Sequence, residues 1–475
     1  MLTLCRLFAL SRRELAALLA AFALSLPAVT PRIYSSDEIE YFSYLRSIWF
    51  DHDVSFENEY RYFYDRDVAR AEGFHETFLE LQTDAGRRPN FGTIGCAILW
   101  TPFYATGHAA AYLMRAAGRE VAVDGFSRPY ITAVAYGSAF YGFVAILLSI
   151  GAARRLFADV PGAHGRSDAV AAGLLVWIGT PLLFYMYVAP PMSHACSAFA
   201  VALFVTTWLH VRRSWTPRGL AMLGASAALM AMVREQDLFF TLGPGVDFLL
   251  TAQAHRRDWS RRLVAAAAGA VVFAVSFAPQ LLAYARLNGH VRPSHLVTRK
   301  MTWTAPHAFD VLLSTSNGFF FWTPLAVVAI AGLGIVAVTS TADVRRVALI
   351  SLLMVALQVY VGGSVESWNV AGAFGQRRFV ALTILLVVGL TGLWLRTRPG
   401  APRALLTIAA VACVWWNLSL MALFGTNQMD RKRLELGRNA YDAFVTIPRL
   451  APQLAWRYIF YRESYYRSPP PARVP

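Results

Sequence analysis

Residues 379–395 read FVALTILLVVGLTGLWL and contain no charged side chain. A helix of this length is about 25 Å long, which approaches the thickness of the hydrocarbon core of a bilayer. Apolar runs of roughly 20 residues recur along the chain, and arginines stand between them. The stretch therefore predicts a membrane-spanning helix, and its repetition predicts an all-α, polytopic membrane protein.

The composition supports the same fold class. Of the 475 residues, 56% are hydrophobic and 15% are charged, whereas soluble domains carry about 25% charged residues. The mean hydropathy is +0.42. These values exclude a soluble enzyme, a secreted disulfide scaffold and a disordered chain. The long unbroken apolar runs also exclude a β-barrel, because the strands of a barrel alternate apolar and polar residues.

The net charge of +15 comes almost entirely from arginine, since Lys300 and Lys432 are the only lysines. A basic protein can bind nucleic acid. Here, however, the arginines lie between apolar runs, where they orient helices and contact anionic headgroups. We therefore expect membrane lipids as partners and no nucleic acid.

The distribution of charge predicts the topology. Residues 31–90 hold thirteen acidic residues against seven arginines, so this stretch is expected outside, within a large first external loop at 31–128. The basic loops that follow are expected inside. This parity requires residues 91–118 to lie in or re-enter the outer face without crossing. About eleven spans are then predicted, at 12–30, 129–152, 169–188, 193–211, 217–233, 236–252, 262–285, 318–338, 346–363, 377–395 and 403–424.

The same reading divides the chain into a transmembrane domain at 1–424 and a C-terminal external tail at 425–475. The tail is basic, lacks a long apolar run and is expected to be an amphipathic or loose segment.

Two carboxylates follow the first predicted span. Ser35 and Glu38 fit the S-x-x-E capping box, which predicts that a helix begins here with Asp37 and Glu38 in its first turn. One interpretation is that both carboxylates only stabilise the helix N-terminus. The other is that a carboxylate at the membrane surface acts as a general base or a metal ligand.

These residues resemble a known family. Asp37-Glu38-Ile39-Glu40-Tyr41, directly after a first span, is similar to the Asp-Glu element of the C-type (GT-C) membrane glycosyltransferases, which include protein O-mannosyltransferases and the lipid A aminoarabinose transferase. Their external helix before the second span also matches the placement of 91–118. Three further segments resemble patterns of the bacterial relatives: Ala153–Phe157, Asn317–Pro324, and Gly362–Ser364 through Phe374–Phe379. The residues 365–371 lengthen the last pattern, and Glu366 has no counterpart in the family.

The resemblance implies a chemistry. The donor would be a sugar on a polyprenyl phosphate, and the acceptor would be a hydroxyl of a glycan, lipid or protein. Asp37 would be the general base, and Glu38 would assist it or bind a metal. The donor phosphate would be bound by Arg377, Arg378 and Arg234.

These arginines could also have roles that involve no substrate. Arg377 and Arg378 could serve only to anchor the helix at the lipid headgroups. Arg234 could form only an ion pair with Glu235 or Asp237.

Other residues give weaker signals. Glu366, His194 and Lys300 are additional site candidates on external segments. Asp51-His52-Asp53 and Asp65-Arg66-Asp67 read as D-x-D pairs that could bind a divalent cation, Mg²⁺ or Mn²⁺. Two-residue spacing is common in so acidic a loop, and we therefore prefer the interpretation that they belong to a solvated loop. The metal ligands, if the reaction uses a metal, are not identified by the sequence.

The leading hypothesis is a polyprenyl-phosphate-sugar-dependent glycosyltransferase of the bacterial inner membrane, with its active site facing the periplasm. The alternatives are a lipid or glycan transporter and a catalytically silent relative that binds glycolipid. A transporter would place charged residues near the middle of its spans, whereas here they concentrate at one face.

Overall fold

The computed structural model describes residues 2–69, 71–159, 165–254, 259–370 and 372–465. Within these residues the chain is helical, without a strand, and one isolated antiparallel bridge joins Met301 and Val365. The all-α fold class is confirmed. The helices are, in chain order, α1 Leu2–Phe8, α2 Arg12–Ser25, α3 Ser36–Arg46, α4 Glu57–Asp65, α5 Gly95–Ala116, α6 Arg128–Leu156, α7 Gly165–Gly179, α8 Leu182–Tyr187, α9 His194–Val211, α10 Pro217–Val233, α11 Leu242–Ala254, α12 Trp259–Asn288, α13 His295–Thr298, α14 Ala308–Leu313, α15 Phe319–Trp322, α16 Pro324–Thr339, α17 Ala342–Gly363, α18 Thr383–Arg396, α19 Ala401–Gly425, α20 Leu436–Tyr441 and α21 Ile447–Phe460.

Several helices can cross a membrane by length and composition. Among the described residues these are α6, α9, α12, α17, α19 and the segment Arg377–Arg396, which contains α18. Three shorter helices, α7, α10 and α16, are also apolar. The chain is therefore a multi-pass membrane protein, and the count of eleven spans stays a prediction.

Helix α18 lies at the centre of the bundle and α12 at its edge. Of the apolar window in Arg377–Arg396, 89% is buried, against 17% for α12. A Cβ on Gly389 of α18 would overlap the carbonyl oxygen of Ala329 in α16. Small residues permit such close backbone contact between membrane helices. Arg377 is the first residue of this well-packed segment.

Three predicted spans are interrupted at the end of the bundle where α3 lies, called here the α3 end. The chain breaks between α7 and α8 at Pro181, between α15 and α16 at Pro324, and the segment Arg377–Leu382 before α18 is a 3₁₀ helix. Proline cannot donate the hydrogen bond that continues a helix. Irregular backbone at membrane depth is tolerated where it is buried in protein or lines a cavity, so these breaks mark the α3 end as the place of a site.

The first external loop is folded. Helix α3 begins with the predicted capping box: Oγ of Ser35 accepts the N–H of Glu38, and the Glu38 carboxylate accepts the N–H of Ser35. Helix α5 packs against α3, α6 and α10. It is long, but it is not among the helices apolar enough to cross a membrane, which agrees with the predicted interfacial placement of 91–118 without testing it.

The tail packs against the bundle over its described part, 425–465. Nε1 of Trp415 in α19 donates to the carbonyl oxygen of Ala443 at 2.8 Å. The hydroxyl of Tyr458 in α21 donates to the carbonyl oxygen of Ala28 at 3.0 Å. Outward-facing Trp456 and Phe460 are about three-fifths exposed. The segment is thus a docked, amphipathic one, and the Pro-rich end at 466–475 lies outside the described residues.

Candidate active site

Asp37 is presented by the first turn of α3. The capping box fixes the start of this helix, and the Asp37 side chain is 37% exposed. Its Oδ2 lies 2.7 Å from Nη1 of Arg377, at the start of the segment leading into α18. In the described part of the chain, Oδ1 of Asp37 has no hydrogen-bond partner. One carboxylate oxygen is therefore oriented by Arg377, and the other is left open.

Glu38, the neighbouring carboxylate, is held differently. Its side chain is fully buried, and Oε2 accepts the backbone N–H groups of Tyr34 at 2.9 Å and Ser35 at 3.0 Å. Burial raises the pKa of Glu38 to about 7 against the lowering effect of these hydrogen bonds. Its geometry is that of a helix cap, and its predicted assistance in catalysis would have to act through the position of Asp37.

Arg234 and His194 form a direct pair. Nη1 of Arg234 donates to Nδ1 of His194 at 2.6 Å. Because a guanidinium can only donate, Nδ1 of His194 must be unprotonated, and the neutral ring carries its proton on Nε2. The ring of Tyr185 stands edge-on to this imidazole at 4.5 Å. The predicted ion pair of Arg234 with Glu235 or Asp237 does not occur within 4 Å in the described residues.

Arg378 is held by a different residue from the Asp37–Arg377 pair. Its guanidinium donates to the carbonyl oxygen of Ser367 at 2.8 Å and to Oγ of the same residue at 3.1 Å. Arg234, Arg377 and Arg378 all act electrostatically on His194. The structure thus places all three predicted phosphate-binding arginines near the neutral His194. Of the three, only Arg377 is in contact with a carboxylate, that of Asp37.

A cavity of about 1190 Å³ lies at the α3 end, and Asp37 and Arg377 line it. Arg234 and Arg378 do not line it. The other charged side chains that line it are Arg32, Arg66, Asp67 and Arg431, and its hydroxyl side chains include Ser35 and Ser36. Its apolar part is lined by side chains that include Leu174, Trp177, Ile178, Leu183, Trp415 and Leu418 from α7, α8 and α19, with Leu454 and Tyr458 of α21 completing the wall.

The form of this cavity determines what it can hold. One part offers a carboxylate and several guanidinium groups, and the adjoining part is built from apolar residues of helices that belong to the membrane bundle. Such a cavity accommodates an amphiphile whose polar group is anionic and whose tail is hydrocarbon. The C-terminal segment, predicted as a tail, contributes wall residues that no local pattern in the sequence indicated.

Glu40 is a further buried carboxylate that the sequence did not indicate as a site residue. Its Oε1 accepts the N–H of Phe91 at 2.7 Å. Burial, and next the charge of Asp37, raise the pKa of Glu40 to about 8. Arg377 and Lys300 are close enough to counteract that rise. Glu40 stands one helical turn from Asp37, and that spacing was the only signal that could have identified it.

Glu366 and Lys300 lie on two neighbouring loop segments. The N–H of Glu366 donates to the carbonyl oxygen of Lys300 at 2.7 Å. Both side chains are exposed, and neither lines the cavity. Nζ of Lys300 lies 5.5 Å from the ring centre of Phe91. Their predicted participation in the site stays a prediction.

The predicted D-x-D pairs were also candidates for a cation. Asp51 bonds to Arg46 and to Nδ2 of Asn58, and Asp53 accepts the hydroxyl of Ser47 at 2.8 Å. In the ranges that the structure describes, no group of three or more His, Cys, Asp or Glu side chains is arranged to hold a metal ion. The predicted divalent cation therefore stays a prediction.

Comparisons with known proteins bear on the fold. No protein-family model matches the sequence, and no curated protein matches it. Among solved structures, the chain resembles the crystal structure of ArnT from Cupriavidus metallidurans bound to undecaprenyl phosphate, with a TM-score of 0.50 and 14% sequence identity. The similarity covers 95% of this chain and 77% of ArnT. At this identity it shows the fold, which is the GT-C-like fold expected from the sequence.

Proposed function

We propose that this chain is a membrane glycosyltransferase that moves a sugar from a polyprenyl phosphate to an acceptor hydroxyl. The observation that carries the proposal is the cavity in which an open carboxylate and a partly buried guanidinium border an apolar chamber. The resemblance in fold to ArnT, which was crystallised with undecaprenyl phosphate, supports the choice of a polyprenyl phosphate as the lipid.

In the proposed reaction Asp37 is the general base. Its open oxygen accepts the proton of the acceptor hydroxyl while the hydroxyl oxygen attacks the anomeric carbon of the sugar. The bond between that carbon and the phosphate oxygen breaks, and polyprenyl phosphate leaves with the bonding electrons. The proton then passes from Asp37 to water in the cavity.

The leaving phosphate needs positive charge in a medium of low dielectric constant. Arg377 lines the cavity and is proposed to contact the phosphate, taking part of its charge as the bond breaks. Arg234 and Arg378 lie behind it, held by uncharged partners, and add positive potential without direct contact. Glu38 is proposed to position Asp37 by fixing the first turn of α3.

The polar part of the cavity leaves room for the sugar and the acceptor. Arg32, Arg66 and Arg431 border it, which favours an acceptor that carries negative charge, from the classes of glycan, lipid or protein. By the positive-inside rule, the α3 end would face the periplasm of a bacterial inner membrane, where lipid-linked sugars and exported acceptors meet.

The test is sugar transfer by the purified full-length chain in liposomes. A panel of polyprenyl-phosphate sugars, each labelled in the sugar, is incubated with envelope extracts as acceptor. Asp37→Asn is expected to lower turnover by about 10² or more, the usual scale for losing a general base, while binding of undecaprenyl phosphate is retained. Glu57→Gln, which changes an exposed carboxylate of the same loop, is the matched control. Equal turnover of Asp37→Asn and wild type would overturn the assignment of the base.

Donor binding and sugar transfer, measured together, separate the enzyme from the other hypotheses. Undecaprenyl phosphate should bind more tightly than undecaprenol, which has the same tail without the phosphate. A chain that binds the phosphate but transfers no sugar from any donor in the panel would be a silent glycolipid-binding relative, and that result would refute the proposed activity.

A further inference from the structure

A second cavity lies at the opposite end of the bundle. It has a volume of about 320 Å³ and is formed where α6, α9 and α18 end and where the loop between α16 and α17 turns. Helix α9 runs from His194 at the first site to Val211 beside this cavity, a rise of about 27 Å. The two cavities are therefore on opposite faces of the membrane domain.

Basic side chains dominate the lining of this cavity. Its charged or titratable members are Arg155, Arg212, Arg213, Arg396, His210, Asp159 and Asp343. Four arginines thus face two aspartates, and these four come from three separate helix ends. Convergence of several chain segments on one concave space is more than an excess of positive charge on basic loops requires.

The aspartates do not neutralise the cluster. Asp343 accepts both of its hydrogen bonds from Nη1 of Arg212, at 2.8 and 2.9 Å, and Nε of Arg212 donates to Asp247 at 2.8 Å. One arginine therefore uses the charge of two carboxylates. Asp159 remains as the other acidic member, against three further guanidinium groups.

In the part of the chain that the structure describes, those three guanidinium groups lack carboxylate partners. Arg155 donates to the carbonyl oxygens of Arg6 and Leu7, and Arg396 donates to Oγ1 of Thr339 and Oγ of Ser340. Among the described residues, Arg213 has no hydrogen bond or ion pair and is exposed. The cavity therefore keeps positive charge that is oriented by neutral groups and available to an anion.

The hydrogen-bond donors of the cavity suit a tetrahedral anion, and its volume leaves room for the rest of a headgroup. Arginine presents a planar fork of N–H groups that matches phosphate oxygens in a bidentate manner. The wall also contains Thr206, whose buried hydroxyl has no hydrogen-bond partner in the described part of the chain. We propose that this cavity binds a phosphate group, carried by an anionic lipid headgroup of that membrane face or by free phosphate.

The experiment uses the purified full chain in neutral detergent at physiological salt. The probes are dioctanoyl phosphatidylglycerol and inorganic phosphate, titrated separately by microscale thermophoresis. Arg213→Gln should weaken binding about tenfold, as expected for one charge-assisted hydrogen bond. Arg218→Gln, which changes an exposed arginine in the first turn of α10 that does not line the cavity, should change it less than twofold.

Two further arms make the result specific. The same titrations in an Arg377→Gln background separate this cavity from the one at the α3 end, and the sensitivity to Arg213→Gln should persist there. A thermal melt of each variant checks folding, which the exposed Arg213 is not expected to affect.

The outcomes decide the source. Saturable, Arg213-dependent binding of phosphatidylglycerol alone supports a lipid headgroup, and the same behaviour with inorganic phosphate supports a soluble phosphate. If neither probe saturates, or if Arg213→Gln binds both as tightly as the wild type, the site does not exist.

Discussion

The helical bundle holds its arginines in two different ways. At the end opposite α3, two arginines pair with carboxylates of another helix. Nη2 of Arg154 lies 2.5 Å from Glu14, and Nε of Arg212 lies 2.8 Å from Asp247, a carboxylate that is 1% exposed. Each pair joins two helices across the bundle.

Of the three arginines predicted to bind phosphate at the α3 end, two have uncharged partners. Arg234 donates to neutral His194, and Arg378 donates to Ser367. Of these three, Arg377 alone meets a carboxylate, that of Asp37, and both groups border the large cavity. The difference teaches that arginines neutralised across helices hold the fold, whereas arginines oriented by neutral groups keep their charge for an anion.

The largest expected effect comes from Arg377→Gln. This change removes the cation that borders the cavity and the partner that orients Asp37. We expect turnover to fall by about 10² to 10³, the scale for losing one preorganised donor to a developing negative charge. Arg377→Lys should restore only part of it, because a lysine cannot form the bidentate contact. Sugar transfer with a labelled polyprenyl-phosphate donor measures both variants.

Arg234→Gln provides the matched comparison at the same end. Because Arg234 does not line the cavity, its loss should reduce turnover less than the loss of Arg377. An equal or larger loss would show that the phosphate sits beside His194 and not beside Asp37.

A stability effect of comparable size but different kind is expected for Arg212→Gln. It leaves the buried carboxylate of Asp247 without its closest cation, which should lower the free energy of unfolding by about 3 kcal/mol. Turnover per folded molecule should stay at the wild-type level. Denaturant or thermal unfolding in detergent measures the first quantity, and sugar transfer normalised to folded protein measures the second.

Asp343→Asn is the control for this prediction, since the Asp343 side chain is 69% exposed. An exposed ion pair contributes about 0–1 kcal/mol, so this variant should be nearly as stable as the wild type. If both variants cost the same, the contrast between buried and exposed partners does not hold.

A smaller effect, dependent on pH, is expected for Glu40→Gln. The pKa of Glu40 is raised from 4.5 to about 8, chiefly by burial. The carboxyl is therefore protonated in the folded state and ionised in the unfolded state between these values. Wild-type stability should fall as pH rises through this window, and the amide variant should escape that loss. The advantage of the variant at pH 8 should be on the order of 4 kcal/mol and should vanish near pH 4.5.

Thermal unfolding of both chains across that pH range tests the sign. The glutamine keeps an oxygen for the N–H of Phe91 and so preserves the contact. A wild-type stability that stays level from pH 5 to pH 8 relative to the variant would contradict the raised pKa of Glu40.

The smallest effect is expected for Ser35→Ala. Loss of an N-cap hydroxyl costs about 1 kcal/mol, and the N–H groups of Tyr34 and Ser35 still have the Glu38 carboxylate. Thermal stability should fall slightly and turnover per folded molecule should persist. A large loss of turnover with normal stability would mean that the hydroxyl takes part in the reaction itself.

Much of the fold could be predicted because the signals are local. Apolar runs bounded by arginine indicate helices of the bundle wherever they occur, and Ser35 with Glu38 indicates where α3 begins. Two of the predicted spans, 169–188 and 318–338, are not single continuous helices, because the helix is interrupted near Pro181 and Pro324. Proline limits a helix locally, but whether the chain kinks or separates there depends on what packs against it.

The amino-acid sequence by itself determined the membrane fold class, the helix that carries Asp37 and the concentration of charge near one face. Only the tertiary structure decided which charges meet. Asp37 forms an ion pair with Arg377, which is 340 positions later in the sequence, and Arg234 donates a hydrogen bond to His194. Tyr458 of the C-terminal segment lines the cavity. Hydrophobic periodicity is a property of a single helix, so a helix can be predicted from a short stretch of sequence. The distance between two side chains from different helices depends on the packing of every helix between them.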